Sequence, residues 1–406
     1  MNPDIYEAIK AEARAMQDSI VGWRHHLHEN PELSFKETGT TEFIRRELES
    51  FGYTDIQVGF GPVETGLCTY VGQGSRCVGL RCDIDALPIA EQTGLLYQSK
   101  NPGVMHACGH DAHAACMLAA ARILKLYEKD LPVRVKIFFQ PAEETRTKIF
   151  EKPLSGAGYV VRSGALEGVD AMFGMHVWGI FEAGKVFVRE GATMMASGRF
   201  SLKVIGKGTH GASPHLGCDP VTTASQIVCG LQTIVSRETS PIEPALITVG
   251  TIHGGTATNV IPQEVTLSGT IRAAREDLVR FMGKRLGELA SLTAQAHRCR
   301  TEYSLLINGP AVMNNPTMVS VVRSAAGAIL GSGRVKDVDM LTGSEDFREY
   351  SARVPSCLYF MGMKDEGKGV GQPQHDPAFL VNDAVLSDAA AVMAAIPFAF
   401  GQVRQG

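Results

Sequence analysis

No CxxC pair, no excess of basic charge and no apolar run long enough to cross a bilayer occur in this chain of 406 residues. Each absence removes a class of function. The nine cysteines are odd in number and scattered through apolar segments. A disulfide framework is therefore not expected; buried thiols in a reducing, cytoplasmic setting are. Lysine and arginine total 39 against 43 acidic residues, for a formal net charge of −4. That balance implies no basic surface, so nucleic acid is not an expected partner. The longest near-apolar stretches, 112–124 and 389–400, fall short of the roughly 20 residues that span a membrane, and no membrane partner is expected. The opening Met1-Asn2-Pro3-Asp4-Ile5-Tyr6-Glu7 carries acid and no apolar run, so it does not read as a signal peptide. There is no internal repeat and no low-complexity tract. A hydrophobic content of 44% suits a large core. A prior of about 150 residues per domain suggests two or three domains.

The pattern along the chain points to an α/β protein. Residues 5–29 and 40–51 read as helices, the second ended by Gly52, and 77–84 as a short apolar strand. Residues 112–127 form a strong helix with Asp111 placed as its N-cap. Residues 133–139 alternate and are rich in β-branched and aromatic side chains, as a strand should be. A helix at 156–163 and a strand at 170–175 follow. Such strand–helix alternation predicts a mostly parallel central sheet flanked by helices. Beyond Glu190 the style changes. Strands at 200–206, 246–253 and 264–273 and helices at 219–236 and 276–297 suggest a small α+β, ferredoxin-like unit. After Asn308-Gly309-Pro310 the first style resumes, with helices at 315–330 and 383–398 and a strand at 357–361. The economical reading is one domain, 1–190 and 307–406, split by an inserted domain at 191–306.

The segment Met105-His106-Ala107-Cys108-Gly109-His110-Asp111-Ala112-His113 carries the chemistry. It sets a thiol, an imidazole and a carboxylate around a glycine, just before a helix. Such ligands suit a transition metal of the zinc class. Four further polar clusters fall at or after strand ends: Asp83-Ile84-Asp85, Gln140-Pro141-Ala142-Glu143-Glu144, His176 and His375. In open α/β sheets such ends converge on one crevice. Taken singly, Cys108 is a core thiol, His110 and His176 are core imidazoles, Glu143-Glu144 is a solvated pair, and the aspartates cap turns. Taken together they make a metallohydrolase site. A divalent metal there lowers the pKa of water and polarises a carbonyl, and a second ion about 3.5 Å away shares the load. Cys108 suits a bridging position because a metal deprotonates a thiol outright. Glu144 can ligate while Glu143 stays free to move a proton. The tract His25-His26-Leu27-His28-Glu29 lacks a carboxylate at metalloprotease spacing and reads as a helix end packed on the domain. His113 reads as support behind the ligands.

These residues carry a resemblance. RHHLHENPEL at 24–33, LRCDIDALP at 80–88, MHACGHDAH at 105–113, QPAEE at 140–144, His176-Val177-Trp178, Ser236-Arg237-Glu238, GTIR at 269–272 and GSEDF at 343–347 occur in order. Together they resemble the di-metal N-acyl-amino-acid amidohydrolases, the group of hippurate hydrolases, auxin-conjugate hydrolases and acetyldiaminopimelate deacetylases, related to aminoacylases and di-metal carboxypeptidases. The resemblance runs from about residue 23 to about residue 383. It implies metal ligands at Cys108, His110, Glu144, His176 and His375, Glu143 as general base, and Asp85 as the residue that orients the metal site. It implies two divalent ions per subunit, Zn²⁺ or Mn²⁺, with Co²⁺ or Ni²⁺ also compatible with mixed S, N and O ligands. It makes the split domain catalytic and the inserted one a lid and dimerisation domain. The expected assembly is a homodimer through that domain, or a higher homo-oligomer, with hinges near Glu190 and Ile307. In GKGTHGASPH at 206–215, His210 would help polarise the scissile carbonyl, in the family across the dimer. Asn259 would bind substrate, and Arg272 would grip an α-carboxylate, for which its planar fork is suited.

Four departures from the family pattern bear on substrate preference. TRTKIFEKPLS at 145–155 is longer than the expected glycine-rich link, Gly179 stands where proline is usual, His375 sits in QPQHDPAF at 372–379, and Ser197-Gly198-Arg199 lacks an acidic residue. The expected substrate is an N-acyl-L-amino acid, with a dipeptide as the alternative on the same scaffold. Two other classes compete. A cysteine hydrolase using Cys108 is disfavoured by the neighbouring carboxylates, which raise a thiol's pKa. A zinc-stabilised binding protein would have no use for a free Glu143.

Overall fold

The computed structural model describes residues 4–148 and 153–403. The chain forms two compact units. The first comprises Met1–Gly191, Met313–Asp339 and Glu345–Gly406; the second comprises Ala192–Val312 and Met340–Ser344.

The first unit is built on an eight-stranded sheet. From one edge the strands are Ile56–Phe60, Val63–Val71, Arg134–Gln140, Cys77–Asp83, Ala171–Glu182, Ser356–Lys364, Val186–Val188 and Val335–Asp337. The four central strands run parallel. Antiparallel pairs occur towards both edges. This is the mostly parallel, helix-flanked sheet that the alternation predicts. Strand Cys77–Asp83 is buried at every position, as a strand covered on both faces must be. Helices Asp4–Ala15, Gln17–Glu29, Thr38–Ser50, His110–Leu126, Pro316–Leu330 and Leu386–Phe400 contribute to one continuous core against this sheet. The window Asp383–Phe400 is apolar and long enough to cross a membrane by length and composition, but 83% of it is buried within the protein. It is a core helix of this unit.

The register sets the level of the candidate site. Asp83 pairs with Gln140. The pairing with Ala171–Glu182 ends at Arg81 and Gly174, and beyond it the His113 ring bridges Asp83 to the N–H of Val177. The expected strand ending at Met175 in fact continues to Glu182, because Ser356–Lys364 extends the parallel ladder beyond His176. His176 is therefore within the strand and not at its end. The expected first helix is broken at buried Met16 (φ −93°, ψ 4°). There Gln17 bonds the C-terminal segment at Asp383 and Ser387.

The second unit has a four-stranded antiparallel sheet in the order Ala245–Gly254, Glu264–Ala273, Ala196–Ile205, Arg300–Gly309. Helices Pro220–Thr233 and Glu276–Ala296 share its core. The chain order is βαββαβ, the ferredoxin-like arrangement. Asp219 caps the first of these helices through its carboxylate. The buried positions Ala196, Phe200, Leu202, Val204, Val265, Leu267, Ile271 and Ala273 form its helix-facing side. The alternate positions, Ser197, Arg199, Ser201, Ser268, Thr270 and Arg272, form a polar opposite face.

Candidate metal centre

The turn before helix His110–Leu126 places the first candidate ligands. Gly109 takes the left-handed conformation (φ 92°) that turns the chain into the helix. A Cβ there would lie 2.3 Å from the Val177 side chain, so only glycine lets the turn rest on the strand carrying His176. Cys108 Sγ consequently lies 3.4 Å from His176 Nε2. The helix starts at His110, which corrects the expected N-cap at Asp111. Asp111 lies in the first turn, buried, and its carboxylate meets Arg24 at 3.2 Å and His28 Nδ1 at 2.8 Å. A carboxylate in a helix's first turn is favoured by the helix dipole, and here it also anchors the helix to Gln17–Glu29.

The glutamates come from the loop after strand Arg134–Gln140. Ala142 adopts φ 51°. Its N–H is held by the Glu37 carboxylate at 2.8 Å, and the N–H of Glu144 by Asp85 Oδ2 at 3.1 Å. His375 also sits at positive φ (69°), with its N–H bonded to the Ala107 carbonyl at 2.8 Å. Non-glycine residues in this region cost about 1–3 kcal/mol and persist only where the surroundings impose them. Both strained residues carry or adjoin a candidate ligand.

The ligating atoms gather in overlapping groups, each within 4.8 Å: Cys108, His110 and His176; Cys108, Glu144 and His375; and His110, Glu143 and Glu144. Cys108 belongs to two of them. Asp85 stands behind the cluster, with its carboxylate 3.2 Å and its carbonyl 2.9 Å from His110 Nδ1. Ser34 steadies that carboxylate at 2.6 Å. These bonds leave His110 Nε2 facing the cluster. His176 Nδ1 donates to the Val177 carbonyl at 2.6 Å, which turns its Nε2 to Cys108 Sγ. Such second bonds fix tautomer and ring orientation in metal-ligating histidines. His28 has both nitrogens occupied, by Asp111 and Glu91. His113 does too, bonding Asp83 and the N–H of Val177.

The donor chemistry fits divalent ions. His110 Nε2 and Glu144 Oε1 are buried without a hydrogen-bond partner among the described residues. His375 Nε2 lies 3.2 Å from that oxygen, close but not aligned as a hydrogen bond. Burial, then Glu345, Glu144 and Asp346, push Glu143 well above the usual carboxylate range. Burial, then Glu144 and Glu143, push the Cys108 thiol up as well. A metal-free Cys108 is thus a poor thiolate, which argues against a cysteine hydrolase. His110 is lowered by burial, but Asp83 and Asp85 outweigh this and bring it up to about 10. Burial and His113 hold His176 well below its ordinary value. The excess of carboxylate over cationic charge around the cluster is what bound cations would offset.

The remaining expected residues lie in the second unit. His210 is exposed on the short strand Thr209–His210, paired with Val260. Exposed Asn259 bonds the neighbouring Gly211 N–H through its carbonyl at 2.7 Å. Arg272 is half-buried, and its Nη1 has no partner among the described residues. Burial and then Arg199 lower its pKa.

Two of the departures touch. A Cβ on Gly179 would lie 2.0 Å from the Gln372 carbonyl, and Gln374 donates to the Val177 carbonyl at 2.9 Å. The loop with His375 therefore packs on the His176 strand where a proline at 179 would intrude. Of the 145–155 segment, Thr147 and Leu154 pair through their backbones, and 149–152 lie outside the described residues.

Sequence reasoning gave no role to Arg81, Glu345 or Asp346, although it quoted their motifs. Arg81 is fully buried and bonds Asp83, Glu345 and Asp346. The available signal was an arginine in an otherwise apolar strand, two residues before Asp83 on the same face.

A mixed sulfur, nitrogen and carboxylate cluster over a largely parallel sheet, in a domain split by a ferredoxin-like insertion, marks a hydrolase of the metallopeptidase type. Residues 79–398 match Peptidase family M20/M25/M40, and the chain belongs to that family. It is 36% identical over 384 residues to the IAA-amino acid hydrolase ILR1-like 4 of Arabidopsis thaliana, covering 93% of this chain and 85% of that one. It is 36% identical to the N-acetyl-L-cysteine deacetylase of Bacillus subtilis over 91% of this chain and 85% of the relative. Among solved structures, a dinuclear metal-binding peptidase of the M20 family from Bacillus subtilis matches with a TM-score of 0.80 and 31% identity, over 95% of this chain and 98% of that one.

Proposed function

We propose that this protein is a metal-dependent amidohydrolase that cleaves the amide bond of N-acyl-L-amino acids. The observation that carries the reading is the pair of ligand groups sharing Cys108, with Glu143 beside them. Cys108, His110, Glu144, His176 and His375 would hold two divalent ions, Zn²⁺ or Mn²⁺ by ligand type, with Co²⁺ or Ni²⁺ also accommodated. When bound, such ions supply an activated water and a polarised substrate carbonyl. Glu143 takes the proton of the water and passes it to the leaving amine. The N–H of Asp346 bonds Glu143 Oε1 at 3.1 Å, which fixes the carboxylate's direction. Asp85 orients His110 and the Glu144 backbone. Arg272 grips the substrate α-carboxylate, His210 polarises the carbonyl, and Asn259 binds substrate. That Nη1 of Arg272 has no partner among the described residues supports this use.

The inserted domain, 191–306, acts as lid and dimerisation domain. Its edge strand Ala245–Gly254 carries no lysine, arginine, acid or proline, and Ile252 is 52% exposed. An unguarded edge of this kind suits pairing with a second copy. The nine unpaired cysteines support a reducing, cytoplasmic setting.

The test is a panel of N-acetyl, N-benzoyl and indole-acetyl amino acids and dipeptides. It is run before and after chelation, and with Zn²⁺, Mn²⁺, Co²⁺ or Ni²⁺ restored. Activity on acyl amino acids that disappears with chelator and returns with metal is expected. Preference for dipeptides would favour the peptidase reading, in line with the similar Bacillus subtilis peptidase. Turnover of no amide by metal-loaded protein would overturn both.

A further inference from the structure

We propose that Arg81 is a positioning residue that holds the base Glu143 and the ligand His176 in mutual register. The proposal rests on the roles just given to those two residues. Arg81 lies in strand Cys77–Asp83 with no exposed surface. Its Nε donates to Gln140 Oε1 at 2.8 Å, and its Nη1 to Asp83 Oδ2 at 2.8 Å. Its Nη2 donates to Glu345 Oε1 at 3.0 Å and to Asp346 Oδ1 at 2.9 Å.

Two arms lead from this hub. In the first, Asp346 is fixed by Arg81 on one oxygen and by the N–H of Ala157 on the other, at 3.0 Å. Its own N–H then donates to Glu143 Oε1 at 3.1 Å. In the second, the free oxygen of Asp83 accepts from His113 Nδ1. His113 Nε2 accepts from the N–H of Val177 at 2.8 Å. Val177 is the residue after His176, so this arm ends on the backbone that aims the His176 ring. A planar guanidinium can serve all four acceptors at once; a lysine ammonium is a point charge without that fork. Arg81 touches neither substrate nor metal in this arrangement. It acts through Asp346 and His113.

A purely structural role would be to neutralise buried carboxylates, whose loss of a partner destabilises strongly. Arg81→Lys keeps the charge and removes the fork, so it separates the two. For Arg81→Lys we expect kcat to fall about 10–100-fold with KM unchanged. Metal affinity, read by competition with a chromogenic chelator, should fall by a similar factor, the range usual for groups behind metal ligands. A lowered melting temperature with kcat, KM and metal affinity of the folded protein unchanged would overturn the proposal.

If Arg81→Lys does not fold, His113→Asn decides. Its amide can still donate to Asp83 but falls short of the Val177 N–H. Weakened metal retention supports the second arm; retention equal to the parent overturns it. Wild-type protein that hydrolyses no amide would sink the functional reading instead. The chelator competition would then still judge Arg81, because it needs no substrate.

Discussion

Cys108, His110 and His176 are buried, and both imidazoles have one nitrogen tied to a backbone or carboxylate oxygen. His210 and Asn259 stand exposed at the short two-stranded ribbon of the second unit, and Arg272 has a nitrogen with no partner among the described residues. The two groups follow different rules. Metal ligands and a base must be held to within about 0.5 Å of working geometry, and the locked supports around the first group suit the roles proposed for it. Residues that meet a variable substrate need unsatisfied donors and room to adjust. Substitutions in the first unit should therefore act on chemistry and metal retention, and those in the second on substrate binding.

Glu143→Gln tests the first side with the largest effect. The amide keeps the volume and can still accept from the Asp346 N–H, but it cannot take a proton. We expect kcat to fall about 10³-fold, within the range for general acid–base catalysis. Bound metal, measured by atomic absorption, should be unchanged. A variant that keeps wild-type kcat would remove Glu143 as the base; one that loses its metal would make it a ligand.

Arg272→Met sharpens the second side. It removes the guanidinium and keeps the apolar stem. Loss of a charged hydrogen-bonded contact is worth about 1.5–3 kcal/mol. KM for an acyl amino acid should rise accordingly, and metal content and the melting temperature should not move. An equal loss on a substrate whose carboxylate is amidated would show that Arg272 does not read that group.

The same contrast explains what the sequence disclosed. The candidate cluster was legible because metal chemistry restricts residue type, and Cys108-Gly109-His110 with Glu143-Glu144 has few other uses. The parallel sheet was legible from strands such as Cys77–Asp83, whose unbroken burial leaves an apolar run. Strand Ile56–Phe60 was not, because it is a half-exposed edge whose order comes from pairing with Val63–Val71. Arg300–Gly309 alternates between exposed and half-buried positions, yet its mixed polar sequence resembles a loop until its partner Ala196–Ile205 is known. The hub at Arg81 was hidden for a similar reason. Its partners Glu345 and Asp346 lie more than 260 positions away, and no local spacing links them. Asp111 was misread as a cap because its partners, Arg24 and His28, come from a helix far back in the chain.

That last network yields the smallest expected effect on the reaction and a distinct one on stability. His28 is buried between Asp111 and Glu91. Burial lowers its pKa, but the bonds to Asp111 and Glu91 outweigh this and bring it up to about 9, from an ordinary value of 6.5. The native state thus holds the His28 proton more tightly than the unfolded chain does. The stabilisation is complete below pH 6.5 and is lost as the pH rises through about 9. Between pH 7 and 9 the loss amounts to about 2 kcal/mol. In urea unfolding at pH 6.5, 7.5 and 9, the wild-type midpoint should fall across this window. His28→Gln, which cannot titrate, should start lower at pH 6.5 and show a flatter dependence, with Arg24 still holding Asp111. A wild-type midpoint that does not change over the window, or an equal slope in His28→Gln, would show that His28 is not charged in the fold. The charged anchor between helix His110–Leu126 and helix Gln17–Glu29 would then be the Arg24–Asp111 pair.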